Sequence, residues 1–263
     1  MKTSTPSLLV LMTLIIITSC SKSDGLPPAF NFIKVDSIQG RYLIDQEKHT
    51  GSFFLGIITA HFEYQNNKLS KRRGGYIPMP ASSGYTSPRY STEIYDSVHL
   101  NSSNLITLVT KYNLTDDLPP KKTEITFANG MITKKITFDE KRPDTIYYFY
   151  DSQRRLKKTE QYFKSDKITK EYTFDDKGNL KKITTIEKAR YEDYVNYTSE
   201  ELFGGYDNKP NPLKGLCLWQ DLFYRSLSNN NFTTYSYTQG SYYMESHEWK
   251  LTYDQNGNAD FSK

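Results

Sequence analysis

Five aromatic residues, Phe127, Phe138, Tyr150, Phe163 and Phe174, each close a short run of strand formers and follow one another at separations of 11, 12, 13 and 11 residues. Turn formers come after each of them: Ala128-Asn129-Gly130, then 139–144, Asp151-Ser152-Gln153-Arg154, Lys164-Ser165-Asp166-Lys167, and Asp175-Asp176-Lys177-Gly178-Asn179. Strand-length runs at this spacing, with turn signals between them, predict consecutive antiparallel hairpins. Isolated copies of the unit stand at Tyr64-Gln65-Asn66-Asn67-Lys68-Leu69 and near the end, from Tyr253 to Ala259.

Period-two alternation points the same way. Ile168, Lys170, Tyr172 and Phe174 share one face and Thr169, Glu171 and Thr173 the other. The alternation likewise predicts that Ile132, Lys134, Ile136 and Phe138 share a face, with Thr133, Lys135 and Thr137 opposite. One face is mixed aromatic and basic, the other polar, as in an antiparallel sheet wet on one side. Composition agrees: 22 Tyr and 14 Phe in a chain only 37% hydrophobic suit half-buried strand positions, where a ring packs and a hydroxyl reaches water. The carboxylates of Asp175 and Asp176 fall where the sister units carry other turn residues, so they are expected to bend the chain and not to react.

Phe174-Asp175-Asp176-Lys177-Gly178-Asn179-Leu180 resembles the YD repeat of the Rhs type, Tyr-Asp-x-x-Gly-x-Leu; the run Tyr150 to Leu156 is similar but lacks the glycine. The stretches 71–80, 93–100, 203–216 and 227–237 resemble a group of bacterial envelope lipoproteins built from YD-like repeats. The resemblance covers most of residues 30–263 and implies an architecture and a location, not a chemistry.

A different period begins at Asn211. Asn is a good N-cap and Pro212 is tolerated at the first helical position. Leu213, Leu216, Cys217, Gln220 and Phe223 follow at helical spacing, Leu227 lies one turn further, and the run Ser228-Asn229-Asn230-Asn231 ends the stripe. The expectation is an amphipathic helix near 212–227 that plugs the apolar face of a curved sheet, or alternatively a helix that binds a partner. A short helical turn is expected at Ser199-Glu200-Glu201-Leu202.

The first residues bear on location. Lys2 precedes an apolar run from Leu8 to Ile17, too short to span a bilayer, and small residues lead to Cys20. Ile17-Thr18-Ser19-Cys20 resembles the lipobox of bacterial lipoproteins, which implies a signal peptide at 1–19 and a lipid-modified Cys20 that anchors the chain in a membrane. Residues 20–29 are polar and Pro-rich, as a flexible tether is, and 30–263 are expected to form a single β domain. Ser21 directly after the cysteine resembles lipoproteins sorted to the outer membrane, with periplasmic or surface orientation open. A net charge of +4 is a mild basic excess and argues against nucleic acid as a partner. With Cys20 lipidated, Cys217 has no second thiol to pair with and reads as a small buried hydrophobe.

Chemistry is sparse. His49, His61, His99 and His247 are not spaced as metal ligands, no nucleophile elbow, phosphate loop or cofactor motif is present, and no pair of carboxylates is singled out. No enzyme and no cofactor is expected. The lysine doublets, Lys121-Lys122, Lys134-Lys135, Lys157-Lys158 and Lys181-Lys182, are the main polar signature. If hairpins stack in register, Lys134, Lys158 and Lys182 align beside Tyr148, Tyr150 and Tyr172 as a stripe for anionic glycan or lipid head groups. The plainer reading is that lysines keep exposed strands soluble and unpaired at their edges. Asp36-Ser37-Ile38, Asp96-Ser97-Val98 and Asp144-Thr145-Ile146 resemble an exported-protein O-glycosylation signal, with Ser37, Ser97 and Thr145 as acceptors. The sequence thus predicts a mainly β chain: an extended antiparallel meander of hairpin repeats forming a twisted or curved sheet, with one C-terminal amphipathic helix packed on it. The expected function is non-catalytic binding or scaffolding in the cell envelope, with a glycan or an envelope protein as partner and no oligomeric state implied. The alternatives are an envelope glycan hydrolase or a carrier of a lipid or apolar ligand.

Overall fold

A computed structural model describes residues 34–44, 58–80, 86–102, 105–114, 119–138, 143–163, 165–189, 194–214 and 216–263, with backbone alone at 76–80, 86–89, 243 and 244. The signal segment, Cys20, the tether and His49 lie outside the described residues.

The expected meander forms. Among the described residues fourteen strands make one antiparallel sheet in which every strand pairs with its neighbour in sequence. They are β1 (Ser37–Gln39), β2 (Thr59–Gln65), β3 (Lys68–Pro80), β4 (Thr86–Leu100), β5 (Ile106–Asn113), β6 (Lys121–Ala128) and β7 (Met131–Phe138). Then come β8 (Asp144–Tyr150), β9 (Leu156–Tyr162), β10 (Asp166–Phe174), β11 (Leu180–Ala189), β12 (Val195–Gly204), β13 (Thr234–Gln239) and β14 (Tyr242–Glu248). The helix α1 (Gln220–Ser226) interrupts the run between β12 and β13, and a separate hairpin, β15 (Thr252–Tyr253) and β16 (Ala259–Asp260), ends the chain. The sheet is not closed, since β1 and β14 do not pair.

It is curled all the same. Nine inter-strand steps of about 4.8 Å would put β3 and β12 roughly 43 Å apart if the sheet were flat. Both reach α1, whose seven residues span about 10 Å: Arg72 of β3 pairs with Asp221, and Glu201 of β12 accepts from Tyr224 at 2.8 Å. Between them Tyr148 of β8 and Tyr172 of β10 meet Phe223 edge to face. The inner face is therefore filled by the segment from Asn211 to Phe232, and the core is the layer between that plug and the strands.

Register explains the curl. Inner-face pairs recur at one end of the sheet: Tyr64–Leu69, Leu100–Ile106, Phe127–Ile132, Tyr150–Leu156 and Phe174–Leu180. After each aliphatic partner one residue is extra in the ladder, namely Ser70, Thr107, Thr133, Lys157 and Lys181. Such bulges bend a strand and increase its twist, and five at corresponding places curve the whole sheet. Phe138 and Phe163 sit instead at the opposite end, Phe138 as the last residue of β7 and Phe163 in the β9–β10 connection, and Phe138 is exposed. The unit that repeats is thus the full hairpin, from Phe127 to Tyr150 to Phe174, and not each successive aromatic.

The turns behave as their sequence predicts. The Asp175 carboxylate accepts the backbone N–H of Lys177 at 2.9 Å and of Asn179 at 2.8 Å, and the Gly178 N–H donates to the Asp175 carbonyl. Asp151 and Asp254 repeat this pattern in their own loops. Gly178 needs its φ of +78° and its missing Cβ, which would lie 2.4 Å from the Asn229 amide. Arg154 takes the same left-handed position in the unit that lacks the glycine, at φ 63°.

Three expectations are corrected. The bulge at Thr133 shifts the alternation by one, so Lys135 joins Ile132 on the inner face while Lys134 turns outward. Ser199-Glu200-Glu201-Leu202 is not helical but lies in β12, because it pairs with both β11 and β13. The helix is shorter than 212–227. Asn211 does accept the Leu213 N–H at 2.9 Å, but the backbone then runs as turns to an extended Trp219. The carbonyls of Cys217 and Leu218, which a continuous helix would use internally, accept instead from the Lys135 ammonium at 2.8 and 3.2 Å.

Candidate functional site

At the end of the sheet where the aromatic–aliphatic pairs lie, the plug leaves an open groove of about 570 Å³. Phe127, Ile132, Tyr150, Leu156 and Phe174 form its floor, supplied by the hairpins β6–β7, β8–β9 and β10–β11. Tyr148 adds to that wall, and Cys217, Phe223, Ser226 and Leu227 of the plug form the facing one. The rim carries Gln153, Arg154, Arg155, Asp176, Lys177, Lys214 and Asn229. The repeat therefore builds the site twice over: its aromatic and aliphatic positions make the floor, and its turn residues make the rim.

Hydrogen bonds fix these groups. The Tyr150 hydroxyl donates to the Ile132 carbonyl at 2.9 Å, which ties two neighbouring hairpins together and leaves the ring face toward the groove. Arg154 donates to the Asn129 carbonyl at 2.7 Å; Arg155 pairs with Asp151 at 2.8 Å and lies over the Phe174 ring. The Asn229 amide donates to the Lys177 carbonyl at 2.7 Å, and its oxygen accepts from the Lys214 ammonium. Burial pushes the Tyr148 and Tyr150 phenols and the Cys217 thiol above their ordinary ranges, so all three are neutral near pH 7. At Cys217 the Lys135 ammonium opposes the effect of burial without overcoming it, and its hydrogen bond goes to the Cys217 carbonyl at 2.8 Å.

The expected stripe is divided between two faces. Tyr148, Tyr150 and Tyr172 are on the inner face, Tyr148 and Tyr150 lining the groove and Tyr172 beneath it against Phe223. Lys134, Lys158 and Lys182 are on the outer face. The bulge again explains this: Lys157 and Lys181 occupy the extra position, so both members of those doublets point away from the plug. On that outer face Lys158 lies over Phe149, and Lys158 and Lys167 both hold Glu160 at 2.9 Å. Burial alone would raise the Glu160 carboxyl, but hydrogen bonds from Tyr162, Lys158 and Lys167 bring it down to about 2. Lys182 pairs with Glu200 at 2.9 Å, and Lys134 stands opposite the exposed Tyr147. Ser37, Ser97 and Thr145 all fall in paired strand positions, half-buried, in β1, β4 and β8.

The site groups that sequence reading missed are the rim cations, Arg154, Arg155, Lys177 and Lys214. Their signal was present, because three of them follow the repeat's aspartate within the turn. The lysine doublets drew attention to the strands instead.

Charged side chains inside the curled sheet hold the plug in place. Arg72 makes a bidentate pair with Asp221, at 2.8 and 2.5 Å, and the Trp219 indole donates to Asp96 at 2.8 Å. Lys170 donates to the Tyr224 hydroxyl, which donates to Glu201, which also accepts from Tyr235. Burial pushes the Glu201 and Asp96 carboxyls upward, and the donors around each oppose that shift. Among the described residues no helix is long and apolar enough to cross a membrane.

No family model and no curated protein matches this chain. Among solved structures, a porin-like protein from Bacteroides uniformis is similar at 11% identity and a TM-score of 0.45, over 76% of this chain and 80% of that one. The likeness is one of mainly-β architecture.

Proposed function

We propose that the chain is a lipid-anchored protein of the bacterial outer membrane, related to the YD-repeat-like envelope lipoproteins, with a non-catalytic binding role. Its membrane link is the lipid on Cys20. The groove between the hairpin ends and the plug is its ligand site, and one observation carries this reading: the repeat's rings and cations converge there, in a space of about 570 Å³ that falls in the range of small-molecule sites. Among the described residues the lining holds a single carboxylate, Asp176, which supports binding over glycan hydrolysis, a reaction that uses two. Partners of two kinds, a glycan or an envelope protein, fit a basic rim above aromatic rings. The apolar floor favours a third, an apolar ligand carried between sheet and plug.

The test is a titration of purified envelope glycan and lipid fractions by calorimetry. Wild-type protein is compared with Met131→Trp, which places an indole in the groove from its half-buried edge. Binding by the wild type that is lost in the variant is the expected result. Equal binding by both removes the groove as the site. Fractionation of cells expressing Cys20→Ala checks the anchor: the protein is expected to leave the membrane fraction.

A further inference from the structure

We infer, resting on the reading of the groove as the ligand site, that its ligand is an amphipathic anion: an apolar chain or ring lying on Phe127, Tyr150 and Phe174, with one carboxylate or phosphate held by Lys177 and Lys214. The floor and the rim of the groove differ in character, and that difference carries the assignment. The floor is rings and aliphatic side chains, and the Tyr150 hydroxyl is already used by the Ile132 carbonyl. A neutral sugar, which needs many hydrogen-bond partners, finds few there, whereas an apolar body is desolvated without loss.

The rim carries four cations against one carboxylate. Two of the cations have anchored partners: Arg155 is neutralised by Asp151, and Arg154 is directed to the Asn129 carbonyl. The other two are brought together by one neutral side chain. Asn229 accepts from the Lys214 ammonium and donates to the Lys177 carbonyl, so the Lys214 ammonium and the Lys177 backbone meet at one rim side chain with no charge cancelled by that contact. Asp176 precedes Lys177 in the same turn and is the one carboxylate that lines the groove with them, while the Asp175 carboxylate is taken up by the backbone N–H groups of Lys177 and Asn179. Partial burial pulls the Lys214 ammonium downward, a shift that an anionic partner would reverse.

The full chain in lipid nanodiscs is titrated with 4-phenylbutanoate, decanoate and the neutral 4-phenylbutanamide, with empty nanodiscs subtracted. Expected is saturable binding of one carboxylate per chain, about tenfold tighter than the amide. The tighter of the two carboxylates tells a ring from a chain as the apolar body. In the variant Lys177→Gln/Lys214→Gln the carboxylates are expected to lose about tenfold in affinity while the amide is unchanged. Both positions are at the surface, and circular dichroism confirms that the variant is folded. Equal affinity for acid and amide, an unaffected double variant, or no carboxylate binding at all overturns the inference. The reading of the groove stands or falls separately: Met131→Trp must abolish amide and carboxylate binding alike, and binding that survives it places the ligand elsewhere.

Discussion

Arg72 and Arg225 are both 2% exposed; Arg72 meets α1 in its first turn, and Arg225 belongs to its last. They are held by different means. Arg72 reaches from β3 to the Asp221 carboxylate in a fork-to-fork pair; burial alone would lower its guanidinium, but the charge and hydrogen bonds of Asp221 raise it above the ordinary range. Among the described residues Arg225 has no acidic partner. Its guanidinium sits among the rings of Phe232, Trp249, Tyr42 and Phe261, at 4.2, 4.4, 5.5 and 5.6 Å, and donates to the carbonyls of Tyr42 and Phe232. Burial pulls it downward, yet a guanidinium keeps its proton at neutral pH, so a full charge is held there by ring quadrupoles and peptide dipoles. The two serve different joints. Arg72 fastens the plug to the sheet, whereas Arg225 joins the segment 39–42 to the C-terminal residues, where the Gln39 N–H donates to the Phe261 carbonyl at 2.8 Å and the Trp249 indole donates to the Arg41 carbonyl.

Breaking the paired site has the largest expected effect. Asp221→Asn leaves Arg72 charged, buried and without its carboxylate, and is expected to cost about 3–5 kcal/mol in urea unfolding. Adding Arg72→Met removes the stranded charge and is expected to restore a large part of that loss, because an ion pair and an apolar pair of similar volume are often close in stability. A double variant no more stable than Asp221→Asn would mean that Arg72 is held chiefly by something else, such as its place over the Trp219 ring.

The caged arginine should be sensitive to shape where the paired one is sensitive to charge. Arg225→Lys keeps the positive charge but loses the flat surface that lies between rings and the fork that reaches two carbonyls. The expected cost is about 2–3 kcal/mol, from two weakened charge-assisted hydrogen bonds and the lost stacking. Amide hydrogen exchange is expected to quicken first at Gln39, whose N–H donates to the Phe261 carbonyl and joins the segment before β2 to the C-terminal one. A loss spread evenly over the sheet would instead make Arg225 an ordinary core residue.

Neither site was legible in the sequence, and the reason is physical. Arg72, Lys135, Lys170 and Glu201 sit in strands whose alternation reads as a polar or mixed face, and polar strand residues ordinarily face water. Their partners in the plug lie far along the chain, beyond any local pattern. The bulge is equally hidden: one extra residue at Thr133 reverses the face of Lys134 and Lys135, and no side chain there announces it. What depends on local chemistry was legible. The meander followed from aromatic spacing and turn residues, Asp175 proved to be a turn carboxylate bound to backbone N–H groups, and a helix did form on the apolar stripe after Asn211. Its first turns did not, because Lys135 took two of the carbonyls. The groove was half legible: the expected stripe grouped Tyr148 with Tyr150, but their cations come from turns and from the plug, not from the doublets in the strands.

Lys135 is the intermediate case, and it sharpens the comparison by being able to give up its charge. Like Arg225 it is buried without a carboxylate, and it holds backbone carbonyls beside the Tyr148 and Phe223 rings. Unlike a guanidinium, its ammonium titrates within reach: burial lowers it from 10.5 to about 8. Between pH 8 and 10 the unfolded chain therefore keeps a proton that the folded chain has released, and stability rises with pH over that window. The buried tyrosines act in the opposite sense only above about pH 10, where the unfolded phenols ionise first. Compared with Lys135→Met, the wild type is expected to gain about 1–2 kcal/mol between pH 8 and 10. Urea unfolding of both proteins at the two pH values measures the difference. A constant gap would show that Lys135 stays charged through pH 10, and that rings and carbonyls alone hold an ammonium as firmly as they hold the guanidinium of Arg225.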